Sequence, residues 1–408
     1  MEKVRVGFVG LGQRGMSMIK TFLALPYADI VAVCDVYDDR VEEASKQIKE
    51  IRNFDVRKYR DFNKMLEDKN IDAIYVATSW EAHINQAIQC MEKGIQCGLE
   101  VAGAYTIKDC WNLVNAYEKT KTPIMMLENC CYDKFELLAT SLIRKGRLGE
   151  IVHCHGAYRH DLRNEIAGGN INRHYRLRNY MARNCENYPT HELGPIAKIL
   201  DINRGNRMVY ISSVASKARG MHDHVNKESC QDKTLKDVVF NQGDVISTSI
   251  ICENGETITL TLNTTLPDHY SREIKINGTK GAADMDTNEI LLDGNIDESL
   301  WIPSEFNKKY MNNAEELYDE YLPECWKNIT AEELELGHGG MDYFMVKAFI
   351  DCVKDNKPMP IDVYDAASWY AITPLSEKSI KNHGRPYKIP DFTRGKYKTR
   401  KREDVIKL

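Results

Sequence analysis

The sequence has no apolar run near the length that spans a membrane and no marked excess of one charge. Its formal net charge of −5 gives no reason to expect nucleic acid or an anionic membrane as a partner. No positively charged leader with an apolar core precedes the first predicted strand, which begins within a few residues of Met1. We therefore expect a cytoplasmic protein that binds neither nucleic acid nor a membrane.

The twelve cysteines do not have the spacing of a zinc site, because no Cys-x-x-Cys motif occurs. They are scattered through a chain of 408 residues, which favours reduced thiols over a disulfide framework. The pairs His153/His155 and His222/His224 are i, i+2 pairs, and this spacing alone does not indicate a metal. We predict no metal site. The length predicts about two domains with a large core.

The start of the chain contains a dinucleotide-binding pattern. An apolar run, Val4–Val9, enters a Gly-x-Gly-x-x-Gly loop formed by Gly10, Gly12 and Gly15, and the next predicted strand ends at Asp35. These glycines allow a tight turn, close approach of a pyrophosphate and packing of helix against strand. Asp35 is placed to accept hydrogen bonds from an adenosine ribose. The pattern predicts an NAD-binding Rossmann domain; the alternative is a tight turn in an ordinary α/β protein.

Strand and helix patterns alternate up to about residue 130, which predicts an α/β domain with a doubly wound parallel sheet over residues 1–130. Ligands of such sheets bind at the carboxyl ends of the strands. Three predicted strands bring the following residues to that edge: Trp80, His83, Glu100, Val101 and Asn129.

From Ile151 the pattern changes to strands with little helix between them, at 209–216, 244–253, 256–265 and 273–277. Asn254-Gly255 is a hairpin signal, and alternating threonines give the next strand one polar face. We predict that residues 131–408 form an α+β domain with a large, mostly antiparallel, open-faced sheet that binds substrate and suits a homo-oligomer. Residues 298–330 are predicted to be a surface insertion.

Several sequence blocks are more specific than the glycines. They are Trp80-Glu81-Ala82-His83, Glu100-Val101, Glu128-Asn129, the block 156–163, Tyr188-Pro189-Thr190-His191 with Leu193-Gly194-Pro195, and the block 337–342. The chain that carries them resembles the glucose–fructose oxidoreductase/inositol dehydrogenase/MocA superfamily along nearly its whole length. Within that superfamily it is most similar to the NAD-dependent glycosidases of glycoside hydrolase family 109, the α-N-acetylgalactosaminidase family.

The resemblance implies a set of site residues. Contacts with NAD would come from Gly10, Gly12, Gln13, Arg14, Gly15, Asp35, Trp80, His83, Glu100, Val101, Asn129, Arg176 and Tyr188. Contacts with the substrate, a small carbohydrate or glycoside, would come from Tyr158, Tyr188, Pro189, Thr190, His191 and Tyr270. Alternatives stay open at four positions: a solvated basic segment for Arg176, a helix start for His83, packing for Tyr270, and either a nicotinamide contact or a helix entry for His338.

NAD-dependent glycosidases do not use the usual pair of carboxylates. Their reaction oxidises the sugar transiently at C3, removes the C2 proton and expels the C1 group, after which water adds and C3 is reduced again. We expect His191 to be the base, because imidazole titrates near neutral pH. Tyr188 lies three residues earlier, where it can assist. The alternative is that His191 caps a helix beginning near Glu192.

Two other functions stay open. The first is an NAD-dependent sugar dehydrogenase that releases NADH. Ordinary dehydrogenases of the superfamily carry Glu-Lys-Pro where this chain has Glu100-Val101-Ala102, and a valine cannot transfer a proton. The second is a regulatory protein that holds the cofactor without turnover, a function against which the Tyr-Pro-Thr-His block counts.

Overall fold

The computed structural model describes residues 3–408, which form two compact units. The first unit extends to Tyr132 and also contains Ile329–Ala367, and the second comprises Asp133–Asn328 and Ser368–Leu408. The division expected from the sequence, at residue 130, lies near the first boundary. The sequence did not predict that residues 329–367 also belong to the first unit.

A parallel sheet of six strands forms the centre of the first unit: β1 (Val4–Val9), β2 (Ala28–Cys34), β3 (Arg57–Tyr59), β4 (Ala73–Val76), β5 (Gln96–Leu99) and β6 (Ile124–Met126). Their order across the sheet is β3-β2-β1-β4-β5-β6. Every residue of β4 is buried, as expected for a parallel strand that is covered on both faces. The strand order reverses between β1 and β4, which is where sheets of this type bind ligands.

Five helices connect these strands: α1 (Gln13–Ala24), α2 (Asp38–Arg52), α3 (Phe62–Met65), α4 (Trp80–Glu92) and α5 (Ile107–Thr120). The turn from β1 into α1 depends on glycine. Gly10 has a φ of +88°, and a Cβ at Gly15 would lie 2.0 Å from the carbonyl oxygen of Gly10. Strand and helix therefore approach more closely here than a side chain permits.

The second unit contains a sheet of eight strands: β7 (Ile151–Arg159), β8 (Met208–Ala215), β9 (Val245–Cys252), β10 (Thr257–Asn263), β11 (Lys275–Gly278), β12 (Gly281–Asp284), β13 (Glu289–Leu292) and β14 (Tyr387–Lys388). Their order is β13-β12-β11-β7-β10-β9-β8-β14. Only the pairing of β7 with β10 is parallel among the described strands of this sheet. Buried and exposed residues alternate along β9, so one face of the sheet is open.

The α-helices that lie between β6 and residue 329 are α6 (Lys134–Arg144), α7 (Arg163–Ala167), α8 (Gly169–Asn172), α9 (Arg176–Ala182), α10 (Thr190–Ile199), α11 (Gly220–Val225), α12 (Pro303–Tyr310), α13 (Tyr318–Tyr321) and α14 (Glu324–Lys327). After it come α15 (Ala331–Leu334), α16 (Met341–Asp355), α17 (Val363–Tyr370) and α18 (Ile372–Lys381). No helix within residues 3–408 combines the length and the apolar character that crossing a membrane requires.

The predicted fold class, a doubly wound parallel sheet followed by an α+β domain with a mostly antiparallel sheet, is confirmed. The Asn254-Gly255 hairpin joins β9 to β10 as the sequence predicts. Within residues 298–330, Trp301 is 88% exposed, and three short helices follow it.

Gly15→Ala is expected to lower the free energy of unfolding by about 1–3 kcal/mol, the usual cost of forcing atoms into a packed interior. Gly12→Ala is the matched control, because the nearest atom to a Cβ there is Nη1 of Arg40 at 3.6 Å, an ordinary contact. Its cost, through the helix cap, should stay below about 1 kcal/mol. Urea unfolding of the two variants and the wild type without cofactor makes the comparison. Equal midpoints for Gly15→Ala and the wild type would contradict the close approach.

Candidate active site

The first group of candidate residues lies at the end of β1 and the start of α1. Gly12 is the N-cap residue of α1, and the space at its Cα is open up to Arg40. The first backbone N–H groups of a helix have no partner within the helix, and the helix dipole favours a negative charge there. The N-terminus of α1 therefore has the room and the electrostatics to bind a pyrophosphate.

Asp35 follows β2 and is buried. Its Oδ2 accepts a hydrogen bond from the Leu11 N–H at 2.7 Å, and its Oδ1 accepts one from the Tyr37 N–H at 3.0 Å. Nη1 of Arg40 lies 3.9 Å from Oδ2. A carboxylate oxygen accepts more than one hydrogen bond, so the fixed carboxylate can also accept from a ribose hydroxyl. The loop and Asp35 together fit the dinucleotide NAD.

Arg14 is held between two carboxylates. Its Nε donates to Glu100 Oε1 at 2.8 Å, and Nη1 and Nη2 donate to the two oxygens of Asp342 at 2.8 and 2.9 Å. Asn129 Nδ2 donates to Asp342 Oδ1 at 2.9 Å, and the Tyr75 hydroxyl donates to Glu100 Oε1 at 2.8 Å. Three of the predicted cofactor residues therefore belong to one network: Arg14 bonds Glu100 directly, and Asp342 joins Arg14 to Asn129.

These pairs keep the cluster charged. Burial alone would lower the pKa of Arg14, but Glu100 and Asp342 raise it well above its usual value. Burial would raise the pKa of Asp342, but Arg14 and His338 lower it below its usual range. His338 Nδ1 lies 2.8 Å from Asp342 Oδ2. His338 therefore also belongs to this cluster, just before α16.

The other predicted residues of the first unit lie in the segments that follow β1, β4 and β5. Trp80 and His83 are buried in the first turn of α4. His83 Nε2 lies 3.0 Å from the carbonyl oxygen of Thr78, and burial lowers the pKa of His83 to about 4, so its ring is neutral at pH 7. Val101 is buried just after β5. Gln13 is exposed at the start of α1.

The second group of candidate residues lies in the second unit. Tyr188 precedes α10, His191 lies within it, and their rings are in contact. Their ring centroids are 4.8 Å apart, in an edge-to-face arrangement. Pro189 is the N-cap residue and Thr190, which is buried, starts the helix. The expectation that this helix begins near Glu192 was wrong by two residues, so His191 lies inside the first turn rather than at the cap.

Tyr158, near the end of β7, is the centre of this aromatic cluster. Its ring centroid lies 4.9 Å from that of Tyr188, 5.5 Å from His191 and 6.1 Å from Tyr270. Its hydroxyl is 3.4 Å from Nδ1 of His160, a histidine not singled out from the sequence. The ring of His160 also contacts Tyr270, at 5.3 Å. Four aromatic or imidazole rings therefore surround the ring of Tyr158.

Arg176 supplies a positive charge to the cluster. Its guanidinium carbon lies 4.7 Å from the centroid of the Tyr188 ring, within the range of a cation–π interaction. Nε of Arg176 forms an ion pair with Glu165 Oε1 at 2.6 Å. Burial would lower the pKa of Arg176, but Glu165 raises it well above its usual value. Arg176 is 7% exposed, so it is not part of a solvated basic segment.

Family models match both parts of the chain. A family model described as "Glycosyl hydrolase 109, C-terminal domain" matches residues 132–399. A second, described as "Oxidoreductase family, NAD-binding Rossmann fold", matches residues 4–127.

Solved structures share the fold. A levoglucosan dehydrogenase in complex with NADH and levoglucosan has a TM-score of 0.70 at 16% identity, covering 95% of this chain and 100% of that chain. An oxidoreductase from Agrobacterium radiobacter in complex with NAD+, L-tartaric acid and magnesium has a TM-score of 0.67 at 15% identity, covering 95% of this chain and 98% of that chain. At these identities the likeness concerns the fold alone.

Curated relatives match at higher identity. A glycosyl hydrolase family 109 protein of Stenotrophomonas maltophilia is 38% identical over 98% of this chain and 91% of its own length. Proteins named alpha-N-acetylgalactosaminidase from Tannerella forsythia and Shewanella oneidensis are 34% and 33% identical, over 97% and 100% of this chain and 87% and 88% of their own lengths. The chain therefore belongs to the glycosyl hydrolase 109 family.

Proposed function

We propose that this protein is an NAD-dependent glycosidase that hydrolyses α-N-acetylgalactosaminides. The observation that carries the proposal is the cluster of Tyr158, Tyr188 and His191, with ring centroids 4.8–5.5 Å apart, in a chain of this family. The choice of sugar is supported by the two relatives that are named alpha-N-acetylgalactosaminidase.

The residues of the first unit would hold the cofactor. Gly12 leaves room for its pyrophosphate, Gly10 and Gly15 permit the tight turn and packing that form the loop, and Asp35 would accept from its ribose. The chemistry that NAD supplies when bound is reversible removal of hydride from the sugar, here at C3. A ketone at C3 makes the neighbouring C2 proton acidic, so the protein needs a base at that position.

His191 is the proposed base. Its imidazole is partly exposed and lies against the rings of Tyr188 and Tyr158. A neutral ring nitrogen accepts the C2 proton, and the electron pair left on C2 expels the C1 substituent. Tyr188 orders the sugar or assists with the proton of the C3 hydroxyl. Arg176, 4.7 Å from the Tyr188 ring, favours negative charge that develops on oxygen during these steps.

We further propose a cytoplasmic homo-oligomer. The twelve cysteines are present as thiols, and all except Cys325 are buried, which suits a reducing compartment. The open face of the second sheet carries Tyr210, Val214 and Ile251, each about half exposed, on adjacent strands. An apolar patch of this kind on a sheet is a surface on which a second copy can pack.

Purified protein with NAD⁺ is expected to release the aglycone from aryl α-N-acetylgalactosaminides without steady formation of NADH. Hydrolysis has no net redox change, and Val101 offers no proton-transferring group at the dehydrogenase lysine position. Aglycone release and absorbance at the NADH band, measured together on a panel of α- and β-glycosides and free sugars, test both statements. Multiple-turnover reduction of NAD⁺ by a free sugar would support the sugar dehydrogenase instead.

Asp35 is expected to make NAD bind at least about tenfold more tightly than NADP, because a carboxylate repels a 2′-phosphate, and tenfold in affinity is about 1.4 kcal/mol. Asp35→Asn should lower the ratio of the affinity for NAD to the affinity for NADP. Arg40→Met is the matched variant, since Arg40 is the cation beside Asp35 and its loss should not favour NADP. Titration calorimetry with both dinucleotides gives the affinities. Equal or tighter binding of NADP by the wild type would contradict the role of Asp35.

His191→Ala is expected to lose aglycone release and C2 exchange together, because a general base contributes about 10²–10⁴-fold. In D₂O, wild-type product should carry deuterium at C2, detected by mass spectrometry and proton NMR. NAD affinity should stay unchanged, because the phosphate loop belongs to the first unit.

Tyr188→Phe is the companion variant and should impair oxidation or binding with a less selective effect on exchange. Near-normal deuterium incorporation by His191→Ala would assign the base to another residue, with Tyr188 and Tyr158 as the next candidates. Hydrolysis by the wild type without C2 deuterium would count against the elimination mechanism.

A further inference from the structure

Tyr270 lies at the rim of the aromatic cluster and is 43% exposed, yet its hydroxyl oxygen is fixed from within the protein. Nη1 of Arg272 donates a hydrogen bond to this oxygen at 2.9 Å. The guanidinium carbon of Arg272 also lies 5.8 Å from the centroid of the Tyr270 ring, within cation–π range. One cation thus contacts both the ring and the hydroxyl of this partly exposed side chain.

Arg272 itself is 1% exposed and is anchored by two carboxylates. Its Nε donates to Glu136 Oε1 at 2.8 Å, and its Nη2 lies 2.7 Å from the same oxygen and 3.1 Å from Asp133 Oδ2. Burial raises the pKa of Glu136 well above its usual range. Burial also acts to raise the pKa of Asp133, but its interaction with Arg272 lowers that pKa overall.

The backbone fixes the same segment. Ser271 pairs with Arg159 through N–H to carbonyl hydrogen bonds of 3.0 Å in both directions, and the Ala157 N–H donates to the carbonyl oxygen of Arg272 at 2.6 Å. These bonds join the segment to β7 on both sides of Tyr158. These backbone bonds fix the position of Tyr270 relative to Tyr158, and the bond from Arg272 fixes its hydroxyl.

Apolar replacement of a whole buried ion-pair cluster is often neutral or stabilising, so the presence of this cluster does not by itself indicate a role in stability. Its effect on Tyr270 is specific. The phenol oxygen accepts from Arg272, so the hydroxyl hydrogen must point away from the guanidinium, toward another acceptor. A cationic donor on the oxygen also makes the O–H a stronger donor.

We propose that Arg272 is a positioning residue for the sugar site, which orients the Tyr270 hydroxyl as a hydrogen-bond donor to an oxygen of the glycoside. This rests on the proposed function for the identity of the ligand. The contacts of Arg272 with Tyr270, Glu136 and Asp133 do not depend on it.

A double-mutant cycle tests the proposal. Tyr270→Phe and Arg272→Met should each lower kcat/KM for an aryl α-N-acetylgalactosaminide about three- to tenfold, the range for a hydrogen bond between neutral groups. The double variant should be no worse than the poorer single variant, because both changes remove one interaction. NAD affinity should be unchanged in all three. Losses that multiply in the double variant, or full activity in Arg272→Met, would overturn the proposal.

Arg207→Met is the matched control, because Arg207 also pairs with a carboxylate, Glu253, at 2.7 Å and lies 5.6 Å from a tyrosine ring, that of Tyr397. It should leave kcat/KM unchanged. If Arg272→Met does not fold, Arg272→Lys replaces it in the cycle. The lysine keeps the charge and a single donor nitrogen, so it should retain more activity than Tyr270→Phe, and equal losses would count against the proposal.

A second readout does not require catalysis. In protein labelled at the tyrosine ring carbons with ¹³C, the Tyr270 signal is assigned by its absence in Tyr270→Phe. Arg272→Met should shift and broaden this signal, whereas Arg207→Met should leave it in place. An unchanged Tyr270 signal in Arg272→Met would overturn the proposal. Absence of hydrolysis by the wild type, together with the expected spectral change, would count against the proposed function alone.

Discussion

The guanidinium of Arg14 between Glu100 and Asp342 is the interaction on which the first unit depends. It draws together the glycine loop, the end of β5 and the start of α16, and Asp342 in turn accepts from Asn129 after β6. Both carboxylates are buried, so loss of the arginine would leave uncompensated charge, for which the typical cost is about 3–5 kcal/mol. The loop that fits a dinucleotide is thus held by a charge cluster as well as by its glycines.

The second unit uses arginine in a related way. Arg176 is paired with Glu165 beside Tyr188, and Arg272 is paired with Glu136 and Asp133 beside Tyr270. Each arginine places a fixed positive charge next to a tyrosine of the same aromatic cluster. Charges that are already oriented before the reaction stabilise developing oxyanions without reorganisation. In the proposed function, these two arginines would supply electrostatic stabilisation of this kind.

Much of the fold could be predicted from the sequence because its signals are local. The glycine loop, the strand ends and the Asn254-Gly255 hairpin each depend on residues that are neighbours along the chain. The pairing of Tyr188 with His191 was predictable for the same reason. Asp342 was not identified as the partner of Arg14, since an ion pair between distant residues leaves no periodic pattern. Arg272 was missed because the sequence alone predicts a solvent-exposed arginine there. Its burial becomes understandable only when its carboxylate partners are known.

The first unit is made from two separate stretches of chain, and this has a consequence for its synthesis. On the ribosome, residues up to Tyr132 emerge first, but Asp342 and the rest of Ile329–Ala367 follow only after the whole segment 133–328. Until then, Arg14 lacks its partner Asp342, and the residues that pack against α16 are not yet covered by it. Domains normally fold as units, with the N-terminal one first. Here the first unit can be completed only after residues 133–328 have been made, so the nascent chain carries an incomplete nucleotide-binding domain during that time.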